Sequence, residues 1–244
     1  MAVGNSMALP ELPRVKGIFV TGTDTDVGKT WVAAGLTAVL REWGLKAVYF
    51  KPVQSGCLEE GGRLIATDTE LVRRVAGLDE PLEALTPITL RLPLAPAVAA
   101  REEGVQIDLG RVAAAFRDLA ARYEFFVVEG AGGLYVPLIG TDFLVLDLIR
   151  WIRLPLVVVA RSGLGTVNHT ALTVLAARGA GLPVAGVVMN RFPARPSLAE
   201  ETNPGLIEAI ADVPVLGRLP ELDDLDAPAG RHTFLKAMDG VCRS

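Results

Sequence analysis

The triad Gly28-Lys29-Thr30 stands between a short apolar run, Ile18 to Val20, and a helical pattern carried by Trp31, Ala34, Leu36 and Leu40. A strand that feeds Gly-Lys-Thr at a helix start makes a phosphate cradle. The first N–H groups of a helix have no intrahelical partners and point out of its end. The helix dipole adds a partial positive charge there, which suits an oxyanion. Lys29 adds a full positive charge, and the Thr30 hydroxyl stands where such loops hold Mg2+. Gly22 and Gly28 are one residue further apart than the general P-loop pattern allows, so Thr23 occupies the first glycine's position. The motif is a deviant one in the correct strand–loop–helix context.

Other chemistry-bearing residues fall at the ends of apolar runs. KAVYFKPV (46–53) reads as a strand ended by Pro52; it carries Lys51 and leads to Ser55. EFFVVEG (124–130) ends at Glu129, before Gly130, Ala131 and Gly132. LPLVVVA (154–160) leads into Arg161, Ser162, Gly163, Asn168 and His169, and PVAGVVMN (183–190) ends at Asn190 before Arg191. An acid at the tip of a buried strand near a phosphate loop is the usual second half of a nucleotide site, so Glu129 is expected to face Mg2+ opposite Thr30. Lys51 is expected to neutralise phosphate or an anionic substrate. Asp68 reads equally as a helix cap. His169 reads as structural, and Cys57 has no cue for a lowered pKa.

The elements that must position these residues follow from the same pattern. Apolar runs without alternation suit strands buried on both faces of a parallel sheet. Helical patterns separate them, at 67–75 (capped by Thr67 or Asp68), 108–119 (capped by Asp108), 142–152 and 166–178. Asn203-Pro204 reads as the start of one more helix, residues 214–216 as a short last strand and 230–241 as a closing helix. Residues 54–62 read as a mobile loop and 79–97 as irregular. Strands alternating with helices predict an α/β fold: a doubly wound, mostly parallel sheet flanked by helices, P-loop NTPase-like. Ligands in such sheets bind beyond the carboxyl ends of the strands, where the candidates above fall. Residues 1–14 read as a flexible arm and 15–244 as a single domain.

Composition excludes several classes. Half of the 244 residues are hydrophobic, ample for a core, and the net charge of −4 without a basic block argues against nucleic acid. Cys57 and Cys242 lie far apart with no metal spacing, as free thiols of a reducing compartment do. No run reaches the ~18 apolar residues of a membrane span, and the first residues lack the apolar core of a signal peptide. The expected location is the cytoplasm, with no membrane partner.

VTGTDTDVGKT, YFKPVQSG, Thr67-Asp68, VVEGAGG, GTVNH and VVMN, in that order across residues 17–222, resemble the dethiobiotin synthetase family. The long phosphate loop matches this family's own version. The resemblance implies an ATP-dependent cyclo-ligase of biotin synthesis, whose substrates are 7,8-diaminopelargonic acid, CO2 and MgATP, acting through a carbamate and a carbamic–phosphoric anhydride. It implies Lys51, Lys29 and Thr25 as catalytic residues and Thr30, Asp68 and Glu129 around Mg2+. It implies nucleotide contacts from Asp26, Val27, Gly28, Lys29, Thr30, Trp31, Asp68, Glu129, Gly130, Ala131, Gly132, Asn190, Arg191, Pro220, Glu221 and Leu222, and substrate contacts from Ser55 and Asn168. A homodimer is implied as well. The sequence departs from the family pattern where Asp26 replaces an expected Glu and where Arg191-Phe192 follow Asn190. The competing reading is a P-loop ATPase switch of the partition or septum-site type acting through protein partners. Those proteins carry a second lysine early in the loop, and residues 22–27 contain none.

Overall fold

The computed structural model describes residues 8–221 and 228–244. The chain runs β1 (Lys16–Gly22), α1 (Lys29–Glu42), β2 (Ala47–Phe50), β3 (Val53–Gln54), β4 (Leu58–Glu60), β5 (Arg63–Ile65) and α2 (Thr67–Ala76). It continues through α3 (Leu82–Leu85), β6 (Ile88–Thr89), α4 (Pro96–Glu103), α5 (Leu109–Ala120) and β7 (Phe125–Glu129). The second half is β8 (Pro137–Ile139), β9 (Phe143–Leu144), α6 (Val145–Ile152), β10 (Leu156–Arg161), α7 (Thr166–Gly179), β11 (Val184–Phe192), α8 (Leu198–Ala211), β12 (Val215–Pro220) and α9 (Pro228–Arg243).

The long apolar runs became the interior of one sheet, ordered β12-β11-β10-β1-β7-β2 with every pairing parallel. Alternation along these strands explains why they are apolar throughout. Val157 and Val159 of β10 pack into the main core beside α1 and α9, while Val158 and Ala160 face a second core with α7 and α8. Residues of period two face opposite sides, so both sides must be apolar when helices cover both. From β1 the chain moves outward to β2, returns to β7 and then crosses to β10. That reversal opens a crevice around the carboxyl end of β1.

Several expected boundaries shift, each for a local reason. β2 stops at Phe50, and Val53-Gln54 pair instead with β6. Residues 58–65, expected inside or beside a mobile loop, form an antiparallel hairpin. The stretch 79–97, expected to be irregular, contains α3, β6 and the start of α4, which has Pro96 in its first turn and Gly104 in the left-handed conformation after its end. The helix expected from 142 begins at Val145, because 137–144 pair as a hairpin. Asn203-Pro204 lie inside α8 rather than at its start: Ser197 and Glu200 form the capping box there. Asn203 is buried and donates to the carbonyls of Ser162 and Gly163. The expected loose arm is anchored over its described part. Leu12 is buried, and the carbonyls of Pro10, Glu11 and Leu12 accept from Trp151, Arg117 and Arg153.

Candidate active site

β1 ends at Gly22 and α1 begins at Lys29, so residues 23–28 form the phosphate loop. Asp26 (φ 57°) and Gly28 (φ 95°) are both left-handed, and such alternation turns backbone N–H groups toward an anion. Gly28 also has no room for a side chain. A Cβ there would lie 1.9 Å from Asn190 Nδ2, the atom that donates to the Val27 carbonyl at 3.0 Å. The start of α1 has no side-chain cap and no acidic residue in its first turn, which leaves its N–H groups available to an anion.

Sheet register builds the rest. Phe50 pairs with Val128, which brings Lys51, the next residue, beside Glu129. Lys51 Nζ donates to Glu129 Oε1 at 2.9 Å and to Asp68 Oδ2. The Thr30 hydroxyl donates to the same Glu129 Oε1 at 2.9 Å. The other oxygen, Oε2, accepts from the Tyr49 hydroxyl at 2.8 Å. Lys51 is 4% exposed and Glu129 1%. Buried charges are expensive unless paired, and this pair meets that condition. Burial pulls the Lys51 ammonium down, but the carboxylates of Glu129 and Asp68 outweigh it and hold its pKa above the ordinary lysine value. Lys29 is moved the other way, because burial dominates and Lys51 adds repulsion against the pull of Glu129. Its Nζ donates to the Asp24 carbonyl at 3.0 Å.

These groups line one cavity of about 800 Å3, with Thr25, Asp26, Gly28, Trp31, Ser55, Ala131, Gly132 and Arg191 also in its wall. It thus gathers most of the residues expected from the sequence. Asp68 is among them, but it is not a helix cap, since Ala66 holds that position, and its carboxylate accepts from Lys51. Other expected residues lie elsewhere. Gly130 gives its N–H to the Val20 carbonyl, continuing the β1–β7 ladder past Glu129. Asn168 and His169 are exposed on α7, outside the cavity wall. Pro220 and Glu221 lie at the end of β12, where the Glu221 N–H donates to Phe192; Leu222 lies outside the described residues.

Tyr49 is a part of the site that sequence reasoning missed, and so is the 3.0 Å ion pair of Asp24 with Arg161, a residue the sequence singled out without a partner. A signal existed for the first: Tyr49 stands two residues before Lys51, hence on the same side of its strand.

Among the described residues no three His, Cys, Asp or Glu cluster to hold a metal alone. Thr30, Glu129 and Asp68 fit the other arrangement, in which Mg2+ takes one or two protein carboxylates and completes its shell with water and nucleotide phosphates.

The chain is 44% identical to the ATP-dependent dethiobiotin synthetase BioD of Bacillus licheniformis, over 91% of this chain and 92% of that protein. The same enzyme of Thermodesulfovibrio yellowstonii is 40% identical over 91% and 96%. That of Anaeromyxobacter dehalogenans is 54% identical over 72% and 77%. The chain belongs to the dethiobiotin synthetase family. A broader family model, described as an AAA domain, matches residues 16–229. Among solved structures, MinD of Aquifex aeolicus in complex with MinC superposes with a TM-score of 0.56 at 14% identity, covering 94% of this chain and 95% of that one. MinD of Pyrococcus horikoshii, bound to Mg-ADP, gives 0.55 at 17%, covering 93% and 94%. At such identity the likeness shows the shared P-loop NTPase fold alone, whereas membership of the dethiobiotin synthetase family rests on relatives at 40% identity and above. No described helix is long and apolar enough to cross a membrane.

Proposed function

We propose that the chain is an ATP-dependent dethiobiotin synthetase, a cyclo-ligase that converts 7,8-diaminopelargonic acid, CO2 and MgATP to dethiobiotin, ADP and phosphate. The observation that carries this reading is the Lys51 ammonium, buried between Asp68 and Glu129 in a cavity that also exposes Lys29, Thr30 and an uncapped helix start. Every intermediate of the reaction is an anion. Two unit charges 4 Å apart repel by about 4 kcal/mol at an effective dielectric near 20, so a carbamate needs fixed cations to approach a triphosphate.

One amine of the substrate attacks CO2 and loses a proton, giving the carbamate. Thr25 and Ser55, on the cavity wall, hold it by hydrogen bonds. The carbamate oxygen then attacks the γ-phosphorus as the bond to ADP breaks. Lys29 and Lys51 stabilise charge on the moving phosphoryl oxygens, and the loop backbone N–H groups from Asp26 to Thr30 bind the phosphates. The second amine attacks the carbonyl carbon, closes the ureido ring and releases phosphate. Thr30, Glu129 and Asp68 would hold Mg2+, which when bound neutralises phosphate charge. Trp31, Ala131 and Gly132 enclose the nucleotide, and Asn190, Arg191, Pro220 and Glu221 are assigned to its base and ribose. No nucleophile–base pair is required, since the chemistry is chiefly alignment of bound reactants.

A homodimer belongs to the same proposal. What supports it is a set of exposed apolar residues, Leu164 just before α7 and Leu172 and Leu175 on it; Leu172 shares with exposed Tyr135 a hollow also lined by Thr25 and Gly133. Asn168 lies exposed on the same helix. A second copy covering these residues would bury them and bring Asn168 to substrate. The cytoplasm is the proposed location.

The test is phosphate release from MgATP and bicarbonate with and without the diamine, with product mass measured. Diamine-dependent release with dethiobiotin's mass is expected. Diamine-independent hydrolysis with no such product would instead support the partner-driven ATPase switch.

A further inference from the structure

Glu129 offers two oxygens, and they are treated differently. Oε1 receives Thr30 and Lys51, which line the cavity; among the described residues Oε2 receives only Tyr49. The torsion that turns a carboxylate about its last bond is broad and soft. The two oxygens are equivalent, so what must be fixed is the plane of the carboxylate, with one oxygen toward the cavity. We infer that Tyr49 is the positioning residue of the cation site: its phenol pins Glu129 Oε2 so that Oε1 is presented to Thr30, Lys51 and the divalent ion. This rests on the assignment of Glu129 to Mg2+ proposed above.

Its setting suits Tyr49 to that task. It is fully buried in the main core, on β2 in register with Val127 of β7, so the ring cannot swing away. The Thr69 hydroxyl, near the phenol on α2, is hydrogen-bonded to Thr86, and Thr69 neighbours Asp68.

A tyrosine that merely filled the core would be indifferent to the cation. The experiment titrates Mn2+ by EPR into the full chain saturated with a non-hydrolysable ATP analogue. Wild type, Tyr49→Phe, Thr69→Val and Glu129→Gln are compared, with thermal unfolding of each metal-free protein. Groups that orient metal ligands typically affect affinity 10- to 100-fold, so Tyr49→Phe is expected to bind Mn2+ ~10-fold more weakly while keeping its ring packing. Thr69→Val, which spares the Tyr49–Glu129 bond, is expected to weaken it less. Wild-type Mn2+ affinity in Tyr49→Phe overturns the inference whatever its melting point. If Tyr49→Phe does not fold, it is made in the Glu129→Gln background instead, where an affinity below that of Glu129→Gln alone overturns the inference. Unchanged affinity in Glu129→Gln removes Glu129 from the cation site and sinks the parent assignment; weakened binding there with none in Tyr49→Phe sinks this inference alone.

Discussion

The cluster at the ends of β1, β2 and β7 and the outer face of α7 solve opposite problems. In the cluster, Lys51 and Glu129 are almost wholly buried, and each has partners within the chain. Leu164, just before α7, is 90% exposed and Leu172, on it, 59%, apolar groups that the described residues leave uncovered. Charge withdrawn from water must be paired where it lies. Apolar surface can be left in water at modest cost until a partner arrives, and grouped exposure is the mark of such a site. On the proposed reading, the groups assigned to the phosphates meet within one chain, and a second chain would finish the grip on the organic substrate.

The largest expected effect breaks the cluster. Lys51→Ala should lower turnover by about 100- to 1,000-fold, as loss of one donor to transition-state charge does. It also leaves Glu129 without its cation, so urea unfolding of the metal-free protein should show a loss of about 3 kcal/mol. Normal turnover in a stable Lys51→Ala protein would defeat the assigned role. Next, Leu172→Glu should convert the solution mass from two chains to one and remove diamine-dependent turnover. Mn2+ and nucleotide binding should remain, measured by sedimentation and titration on the same sample; a variant still dimeric would place the interface elsewhere.

A third effect is a stability slope at alkaline pH. The folded pKa of Lys51 is raised, so the group's contribution is complete below the ordinary lysine value of 10.5 and is lost as pH rises through the higher folded value. Lys29, whose folded pKa is lowered, contributes in the reverse sense, becoming less unfavourable as pH rises toward 10.5. Lys51→Met should therefore abolish a loss of stability above 10.5 that wild type shows in pH-dependent denaturation. The smallest effect concerns the strap between the two regions. Arg161 and Asp24 are both half exposed, and such pairs are worth about 0–1 kcal/mol. Arg161→Ala should raise KM for ATP a few-fold at most through a looser loop, with kcat nearly unchanged.

Much of this was legible because local rules were obeyed. The phosphate loop announced itself through Gly28-Lys29-Thr30 after an apolar run, and the parallel sheet through runs such as LVVVA that lack alternation. Glu129 and Lys51 could be picked as strand-end groups. Their meeting could not, since they are 78 residues apart and only the pairing of β2 with β7 makes them neighbours. Asp68 shows the limit well. Near a helix start, an acid looks like a cap, and the structure gives its carboxylate to Lys51 instead. Helix α4 was hidden for a different reason: the Pro- and Leu-rich stretch before it masked a Pro96 start and Gly104 stop that are good local signals.

The sequence by itself determined the elements and the chemistry available to them: which runs must be buried on both faces, where a helix start stays uncapped, and which cations and acids end the strands. These are consequences of side-chain polarity, period and backbone preference within a few residues. Only the tertiary structure decided how the acids are used. Sheet order set β7 between β1 and β2, register placed Lys51 beside Glu129, and the core brought Tyr49 behind its second oxygen. Those choices come from packing both faces of the sheet at once, a constraint that no local stretch of chain contains.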